Sequence, residues 1–251
     1  MGKMLESLQD LLIEYSADLG SLSRFHPLDC SLARIQRFDR LNELWKGRLN
    51  GIDQSALDYD GRVDAILFDN HLSHQACNLR SQASEHAELR RLLPFAQTVA
   101  ELEEARMRMD PLDPRSAARA LDSAAKLAED VSDSGQFGNR TYRCLQWTDE
   151  TLVALDNWFG YYDGYDPQAS WWLDKPVQKL KQSLQNLSKQ LKSLDESGLN
   201  GQAVGREALE EDLRYEMIPF SPEELIAIGE REYLWCLDEI KKASLELGFG
   251  E

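Results

Sequence analysis

The most constraining feature of this chain is an apolar repeat in the segment 177–194. Its members follow one another at alternating intervals of three and four positions: Val177, Leu180, Leu184, Leu187, Leu191 and Leu194. This spacing returns every side chain to one face of an α-helix and creates a seam that packs against another helix. A half-buried strand would instead alternate with a period of two. We therefore predict a helix over 171–194 with one continuous apolar face.

The choice of apolar residues extends this helical preference to the whole chain. Leu occurs 39 times, whereas Val, Ile and Thr together occur 18 times. Leu is a good helix former, while β-branched residues are favoured in strands. We predict an all-α, multi-helix fold of roughly nine to eleven helices. These helices are expected to form one domain over residues 1–251, with a sub-boundary near 110–114.

Capping residues and helix breakers indicate where the helices begin and end. Ser221, Pro222 and Glu224 match a capping box with proline in the first turn, and Asp113 can cap another helix. Gly20 and Gly248 are expected to end the first and last helices. The second helix is expected to turn Ile35, Phe38, Leu41, Leu44 and Trp45 inwards. The predicted helices cover residues 5–20, 29–49, 58–87, 98–109, 114–133, 139–159, 171–194, 205–216 and 222–247, with a loop at 160–167.

Charge limits the classes of partner. The net charge of −16 gives a field that repels phosphate backbones and anionic lipids, so nucleic acid and membranes are excluded as expected partners. The start of the chain lacks the apolar region of a signal peptide, and the four cysteines are too widely spaced for a disulfide framework or a zinc knuckle. These features predict a cytoplasmic protein.

Motifs for catalysis and metal binding are missing from the sequence. It contains no HExxH, no GxSxG and no Walker A loop. His71 and His74 lie three residues apart and can face one way on a helix, but zinc needs at least a third protein ligand. A solvated or locally hydrogen-bonded helix face is the favoured interpretation. We assign no catalytic residue, no metal ligand and no cofactor to this chain.

Aromatic residues are concentrated between positions 161 and 172. The five are Tyr161, Tyr162, Tyr165, Trp171 and Trp172. Such a cluster can form a platform that stacks a peptide or a ring. The favoured alternative is that these side chains fill a corner between two helices, with Asp166 and Pro167 starting the second of them.

This aromatic segment and the C-terminal third resemble a known family. The matching motifs are the sequence Tyr-Tyr-Asp-Gly-Tyr-Asp-Pro at 161–167, Ser-Trp-Trp at 170–172, Gly-Arg-Glu-Ala-Leu at 205–209 and the segment 214–225, together with shorter matches at 64–74, 93–96, 235–236 and 241–250. They are similar to the bacterial and fungal family catalogued as domain of unknown function 885. Fungal members of that family are sometimes labelled X-Pro dipeptidyl-peptidases.

The resemblance implies a helical fold like that of HExxH-type carboxypeptidases and dipeptidases, in which two halves enclose a substrate channel. This chain would be an incomplete portion of such a fold, supplying one wall of the channel and inactive alone. The resemblance implies zinc in a full-length relative. The family's metal ligands match no position of this chain, so none is assigned here. Because the aromatic residues cluster beside these motifs, our hypothesis for the residues that contact a peptide substrate is Tyr161, Tyr162, Tyr165, Trp171 and Trp172, with Arg214 and Tyr215 as polar contributors.

Several accounts of such a chain remain open. The first account is a truncated gene product, the second is a split protein whose C-terminal half carries the zinc motif, and the third is a free-standing binding module. Helices that normally pack on a missing half would expose apolar surface, so self-association is also expected. The alternative from another functional class is a non-catalytic helical interaction or scaffold protein.

Overall fold

The computed structural model describes residues 8–134, 137–195 and 203–249, and these residues form nine α-helices and no strand. The helices are α1 (Leu8–Phe25), α2 (Leu32–Asn50), α3 (Tyr59–Leu92), α4 (Ala96–Met107), α5 (Pro114–Ser134), α6 (Thr141–Tyr162), α7 (Pro167–Asp195), α8 (Arg206–Tyr215) and α9 (Pro222–Glu246). The all-α prediction is confirmed. None of the described helices combines the length and the apolar character that a bilayer crossing requires. The chain divides into two compact units, Met1–Gln202 and Ala203–Glu251.

The first unit has two apolar cores, and α3 contributes to both. One core joins α1, α2 and the first half of α3 around Tyr15, Trp45 and Phe68. The other joins the end of α3 to α4, α5, α6 and α7, with Leu89 as the buried contribution of α3. The 34 residues of α3 span about 51 Å at 1.5 Å per residue, which is long enough to reach both cores. Residues on both sides of 110–114 belong to the second core.

The predicted apolar seam of α7 lies against α5 and α6. Val177, Leu180, Leu184, Leu187 and Leu191 are buried, whereas Leu194 is 44% exposed. The opposite surface on α5 consists mainly of alanines: Ala117, Ala118, Ala124, Ala125 and Ala128 are buried beside Leu121. Small side chains on one helix leave room for the leucines of the other, which produces close-packed layers.

Three predicted helix ends are wrong: α3 continues to Leu92, five residues beyond the predicted end, and two glycines predicted to mark helix ends lie inside helices. Gly20 lies inside α1, which continues to Phe25, and Gly160 lies inside α6, which continues to Tyr162. A single glycine costs a helix only about 1 kcal/mol relative to alanine, so side-chain packing can outweigh it. At the end of α6 the ring of Tyr162 packs edge-on against Trp158, with 5.4 Å between centroids.

The expected orientation of α2 is also only partly correct. Trp45 is buried, but Leu44 is 56% exposed. On α3 the buried positions are Ala65, Phe68 and Leu72, while Ile66 and Leu67 are exposed. The face of α3 that packs on α1 and α2 consists of a small, an aromatic and an aliphatic residue. The positions of large aliphatic residues alone therefore do not predict which face is buried.

The second unit contains α8 and α9. Ser221 Oγ accepts from the backbone N–H of Glu224, and the Glu224 carboxylate accepts from the backbone N–H of Ser221, which confirms the predicted capping box. Gly248 has φ +78°, and the amide of Phe249 donates to the carbonyl of Ser244. A left-handed glycine with this hydrogen bond is a common helix terminus. Arg206 and Glu223 connect the starts of the two helices, with 2.9 Å between Nη2 and Oε2.

Candidate functional site: a groove between α5 and α7

A tight turn at 163–166 places the first residues of α7. The backbone amides of Tyr165 and Asp166 donate to the carbonyl of Tyr162, which closes the end of α6. Asp166 Oδ1 then accepts from the backbone amides of Gln168 and Ala169, at 2.9 and 3.1 Å. Asp166 therefore caps α7, and Pro167 occupies its first turn, as the sequence predicts.

Trp171 and Trp172 lie one turn further along α7 and form an edge-on pair. Their ring centroids are 4.7 Å apart with an interplanar angle of 89°. Trp172 is half-buried beneath Arg115 of α5, whose guanidinium carbon lies 4.8 Å from the centre of the indole ring. Trp171 is 73% exposed. One tryptophan is therefore held in place while the other presents its ring to solvent.

These two rings border a groove between the first turns of α5 and α7. The main cavity has a volume of about 1100 Å³, and a second cavity of about 650 Å³ shares Arg115, Pro167, Trp171 and Trp172 with it. The other residues that line the main cavity are Ala118, Arg119, Asp122, Asp163, Ser170, Asp174, Lys175, Pro176 and Lys179. Ligand sites in proteins commonly enclose 300–1000 Å³, so the groove has the size of a binding site.

The groove carries charges of both signs. Arg115, Arg119, Lys175 and Lys179 are basic, while Asp122, Asp163 and Asp174 are acidic. The chain as a whole has a net charge of −16, whereas the charges that line the main cavity nearly balance. Each of the four basic side chains can pair with a carboxylate of a ligand.

Pro176 removes one backbone hydrogen-bond donor from α7 beside the groove. It is buried within the helix and lines the main cavity. Proline has no N–H, so it cannot donate to the carbonyl of Trp172 four residues earlier. α7 therefore lacks this one backbone hydrogen bond beside the groove.

The predicted aromatic cluster separates into two groups. Tyr161 and Tyr162 lie at the end of α6, where their rings are 5.0 Å apart and edge-on. Arg106 of α4 lies 5.0 Å from the centre of the Tyr161 ring and is held by Glu103 through hydrogen bonds of 2.9 and 2.5 Å. Burial raises the pKa of Tyr162. Neither tyrosine is among the residues that line the groove.

The remaining predicted site residues lie elsewhere. Tyr165 is 88% exposed in the turn and does not line the groove. Arg214 and Tyr215 belong to α8 of the second unit, where the Tyr215 hydroxyl lies 3.4 Å from Glu211 Oε1. The structure therefore groups Trp171 with Trp172 and, separately, Tyr161 with Tyr162.

A smaller cavity of about 290 Å³ between α2, α3 and α6 is a weaker candidate. Its charged groups already bind one another: Arg143 donates to Glu85 at 3.1 and 3.0 Å, and Arg34 lies 3.3 Å from Asp29. The Nε2 of His86 also lies 2.9 Å from the carbonyl of Cys30. A ligand would have to displace these pairs, whereas the groove has an exposed tryptophan.

The histidine pair considered from the sequence belongs to the first core. His71 Nε2 lies 3.0 Å from the Tyr15 hydroxyl, and burial together with His74 lowers the pKa of His71. Among the described residues, no group of three or more His, Cys, Asp or Glu side chains is placed to hold a metal ion.

Sequence reasoning did not identify the residues of α5 that face the tryptophans. Arg115, Arg119 and Asp122 follow one another at intervals of four and three residues, so they share one face of an amphipathic helix. This periodicity is visible in the sequence. The contact between Arg115 and Trp172 is not visible in the sequence, because that contact depends on the packing of α5 against α7.

In comparisons with known proteins, no protein-family model, no curated protein and no solved structure matches the chain.

Proposed function

We propose that this chain forms the substrate-binding helical wall of a zinc-peptidase-like protein and binds an extended peptide in the groove between α5 and α7. The observation that carries the proposal is the exposed Trp171 beside a cavity of about 1100 Å³ that four basic and three acidic side chains line. The resemblance of 161–172 to a peptidase-like family, together with its aromatic residues, supports a role for the same segment in substrate contact. Zinc and its ligands would be supplied by a polypeptide segment with an HExxH motif.

Each part of the groove suits a different part of a peptide. The ring of Trp171 offers a flat apolar surface for a side chain such as proline or leucine. The guanidinium groups of Arg115 and Arg119 suit a carboxylate, since arginine binds carboxylates through two parallel hydrogen bonds.

Calorimetry with two short peptides tests this proposal. The probes are an N-acetylated apolar tetrapeptide with a free C-terminal carboxylate and the same peptide as a C-terminal amide. We expect the acid to bind roughly tenfold more tightly than the amide, because charge-assisted hydrogen bonds are the stronger ones. Equal binding of the two peptides, or no binding of either, would contradict the proposal.

A matched pair of variants locates the binding. Trp171→Ser removes the exposed ring from the groove, and we expect it to weaken binding of the acid peptide roughly tenfold. Tyr165→Ser removes an even more exposed ring that does not line the groove, and it should leave binding unchanged. If both variants bind like the parent chain, the groove is not the peptide site.

The zinc-peptidase part of the proposal has its own test. Metal analysis of the purified chain should find no stoichiometric zinc, and the chain should not hydrolyse the acid peptide. Stoichiometric zinc bound by this chain alone would contradict the assignment of the metal ligands to another segment.

A helical interaction protein is the second candidate, and α9 favours it. None of the described residues of α9 is buried, although the helix carries several large apolar side chains. A protein of this class would bind a partner through α9 and show no preference between the acid and amide peptides.

A further inference from the structure

Some of the exposed apolar residues of α9 follow a seven-residue repeat, whereas Leu234, Trp235 and Leu245 lie outside it. Ile226, Tyr233 and Ile240, together with Leu247 directly after the helix, are each between 63% and 73% exposed. A spacing of seven keeps side chains on nearly the same face of an α-helix and corresponds to position a of a heptad. This face of α9 has the pattern of a helix that packs against a second helix.

A second row completes the heptad. Gly229, Cys236 and Ala243 each lie three residues after a member of the first row, at position d, and all three are exposed. Their small size leaves spaces between the larger a residues, and large side chains of a facing helix can enter such spaces. We call the a and d residues together the α9 seam.

The charged residues beside the α9 seam all have the same sign. Five of the eight e and g positions that flank this seam carry glutamate, and the other three are Leu225, Leu237 and Ser244; the glutamates are Glu223, Glu230, Glu232, Glu239 and Glu246. The basic residues of α9 are Arg231, Lys241 and Lys242, and they fall at positions f, b and c, away from the seam. The seam is therefore an apolar strip between two acidic borders.

Three of these glutamates have basic neighbours that do not prevent docking. Glu239 lies 2.6 Å from Lys242, Glu232 lies 3.6 Å from Arg231, and Glu223 pairs with Arg206. All of these pairs are solvent-accessible. Exposed pairs contribute little free energy, so a partner's cation can replace the existing one at small cost.

The acidic borders decide between two occupants. In a parallel pair of helices position e faces position g of the partner, and in an antiparallel pair e faces e and g faces g. In an antiparallel pair of α9 helices aligned at their middles, Glu232 would face Glu239. In a parallel pair each g residue faces the e residue five positions on, which puts Glu232 opposite Leu237 and Glu239 opposite Ser244. A second copy therefore offers these glutamates no basic residue in either direction. Like charges across such an interface disfavour association.

We propose that α9 is the docking helix for an amphipathic helix of a different polypeptide, whose apolar seam is flanked by Lys or Arg. The inference rests on the heptad spacing, the exposure and the border charges of α9. It does not depend on peptide binding in the groove of the first unit.

Two designed helical peptides of about three heptads test the proposal. Both carry Leu and Ile at positions a and d; one has Lys at e and g, and the other has Glu. Fluorescence anisotropy of the labelled peptides with the full chain should give at least about tenfold tighter binding of the Lys peptide, with the difference reduced by added salt. No binding of the Lys peptide, or equal binding of the two, would overturn the proposal.

Variants on opposite faces of α9 separate seam docking from general attraction to an acidic chain. The double variant Ile226→Ser and Ile240→Ser should abolish binding of the Lys peptide. Trp235→Ser is the control, since Trp235 is 59% exposed and lies about half a turn from the seam. Retained binding in the double variant would show attraction by charge alone and overturn the proposal.

Charge reversal and sedimentation complete the test. The triple variant Glu230→Lys, Glu232→Lys and Glu239→Lys should prefer the Glu peptide. Unchanged preference would overturn the role of the acidic borders. Sedimentation velocity of the parent chain should show a monomer; a dimer that the double seam variant disperses would identify a second copy as the occupant and reject the proposed basic partner.

Discussion

The guanidinium carbon of Arg115 lies 4.8 Å from the centre of the Trp172 ring, and this contact links the first turn of α5 to the first turns of α7. The two residues are far apart in the chain, so the groove exists only because α5 and α7 pack together. Arginine stacks on an aromatic ring through a planar group that lysine does not have.

Arg115→Lys and Arg115→Ala are expected to lower stability by similar small amounts and to differ in how strongly they weaken binding of the acid tetrapeptide. An exposed cation–π contact contributes about 0.5–1 kcal/mol, so each variant should lower the free energy of unfolding by no more than about 1 kcal/mol. Binding of the acid tetrapeptide should weaken in both, and more in Arg115→Ala, because Lys keeps the charge. Urea denaturation and calorimetry measure the two effects. A loss of several kcal/mol of stability would show that Arg115 has a larger structural role.

The apolar seam of α7 contains one buried and one partly exposed leucine, and the same substitution to alanine is expected to cost much more stability at the buried one. Leu184 is fully buried, so Leu184→Ala should lower the free energy of unfolding by about 2–5 kcal/mol through lost burial and a residual cavity. Leu194 is 44% exposed, and Leu194→Ala should cost less than about 1 kcal/mol. Urea denaturation of both variants provides the comparison. Equal losses would contradict the packing of α7 described above.

Glu150 is expected to make stability depend on pH. Its Oε1 accepts from the backbone amide of Asp29 at 3.2 Å, and burial raises the pKa of this carboxyl group. Because the folded state holds the proton more tightly than the unfolded state, the contribution of Glu150 to stability is fully present below its ordinary pKa. It is lost as the pH rises through the raised pKa.

Glu150→Gln keeps an acceptor for the Asp29 amide and removes this titration. The unfolding free energy of the variant, relative to the parent chain, should therefore increase between pH 4 and pH 7. Urea denaturation across this range measures the difference. A difference that is constant with pH, or that decreases, would show that the folded state does not raise the pKa of Glu150.

The four cysteines should differ strongly in reactivity. Cys236 is exposed at the α9 seam, whereas burial raises the pKa of Cys30 to about 12 and that of Cys144 to about 11. The thiolate is the nucleophile, so raising the pKa from 9.0 to about 12 lowers the reactive fraction of Cys30 roughly a thousandfold.

Alkylation with iodoacetamide at pH 8, followed by mass spectrometry, should modify Cys236 first and leave Cys30 and Cys144 unmodified until urea is added. The Lys peptide should slow the modification of Cys236 if it occupies the α9 seam. Rapid labelling of Cys144 in the folded chain would contradict its burial.

The sequence alone determined which segments are helical and where most of them begin. Helix formation depends on residues three and four positions apart, so the spacing from Val177 to Leu191 and the capping box at Ser221 were sufficient to predict α7 and the start of α9. The glycines at 20 and 160 misled the prediction, because a local cost of about 1 kcal/mol is smaller than the packing that continues each helix.

The tertiary structure decided which of these helices meet and therefore which residues share a site. The aromatic residues between 161 and 172 are one cluster in the sequence, but the turn at Asp166 separates Tyr161 and Tyr162 on α6 from the tryptophans on α7. Only the packing of α5 against α7 places Arg115 over Trp172 and opens the groove beside Trp171. Such contacts depend on the burial of whole helix faces, which no local spacing in the sequence specifies.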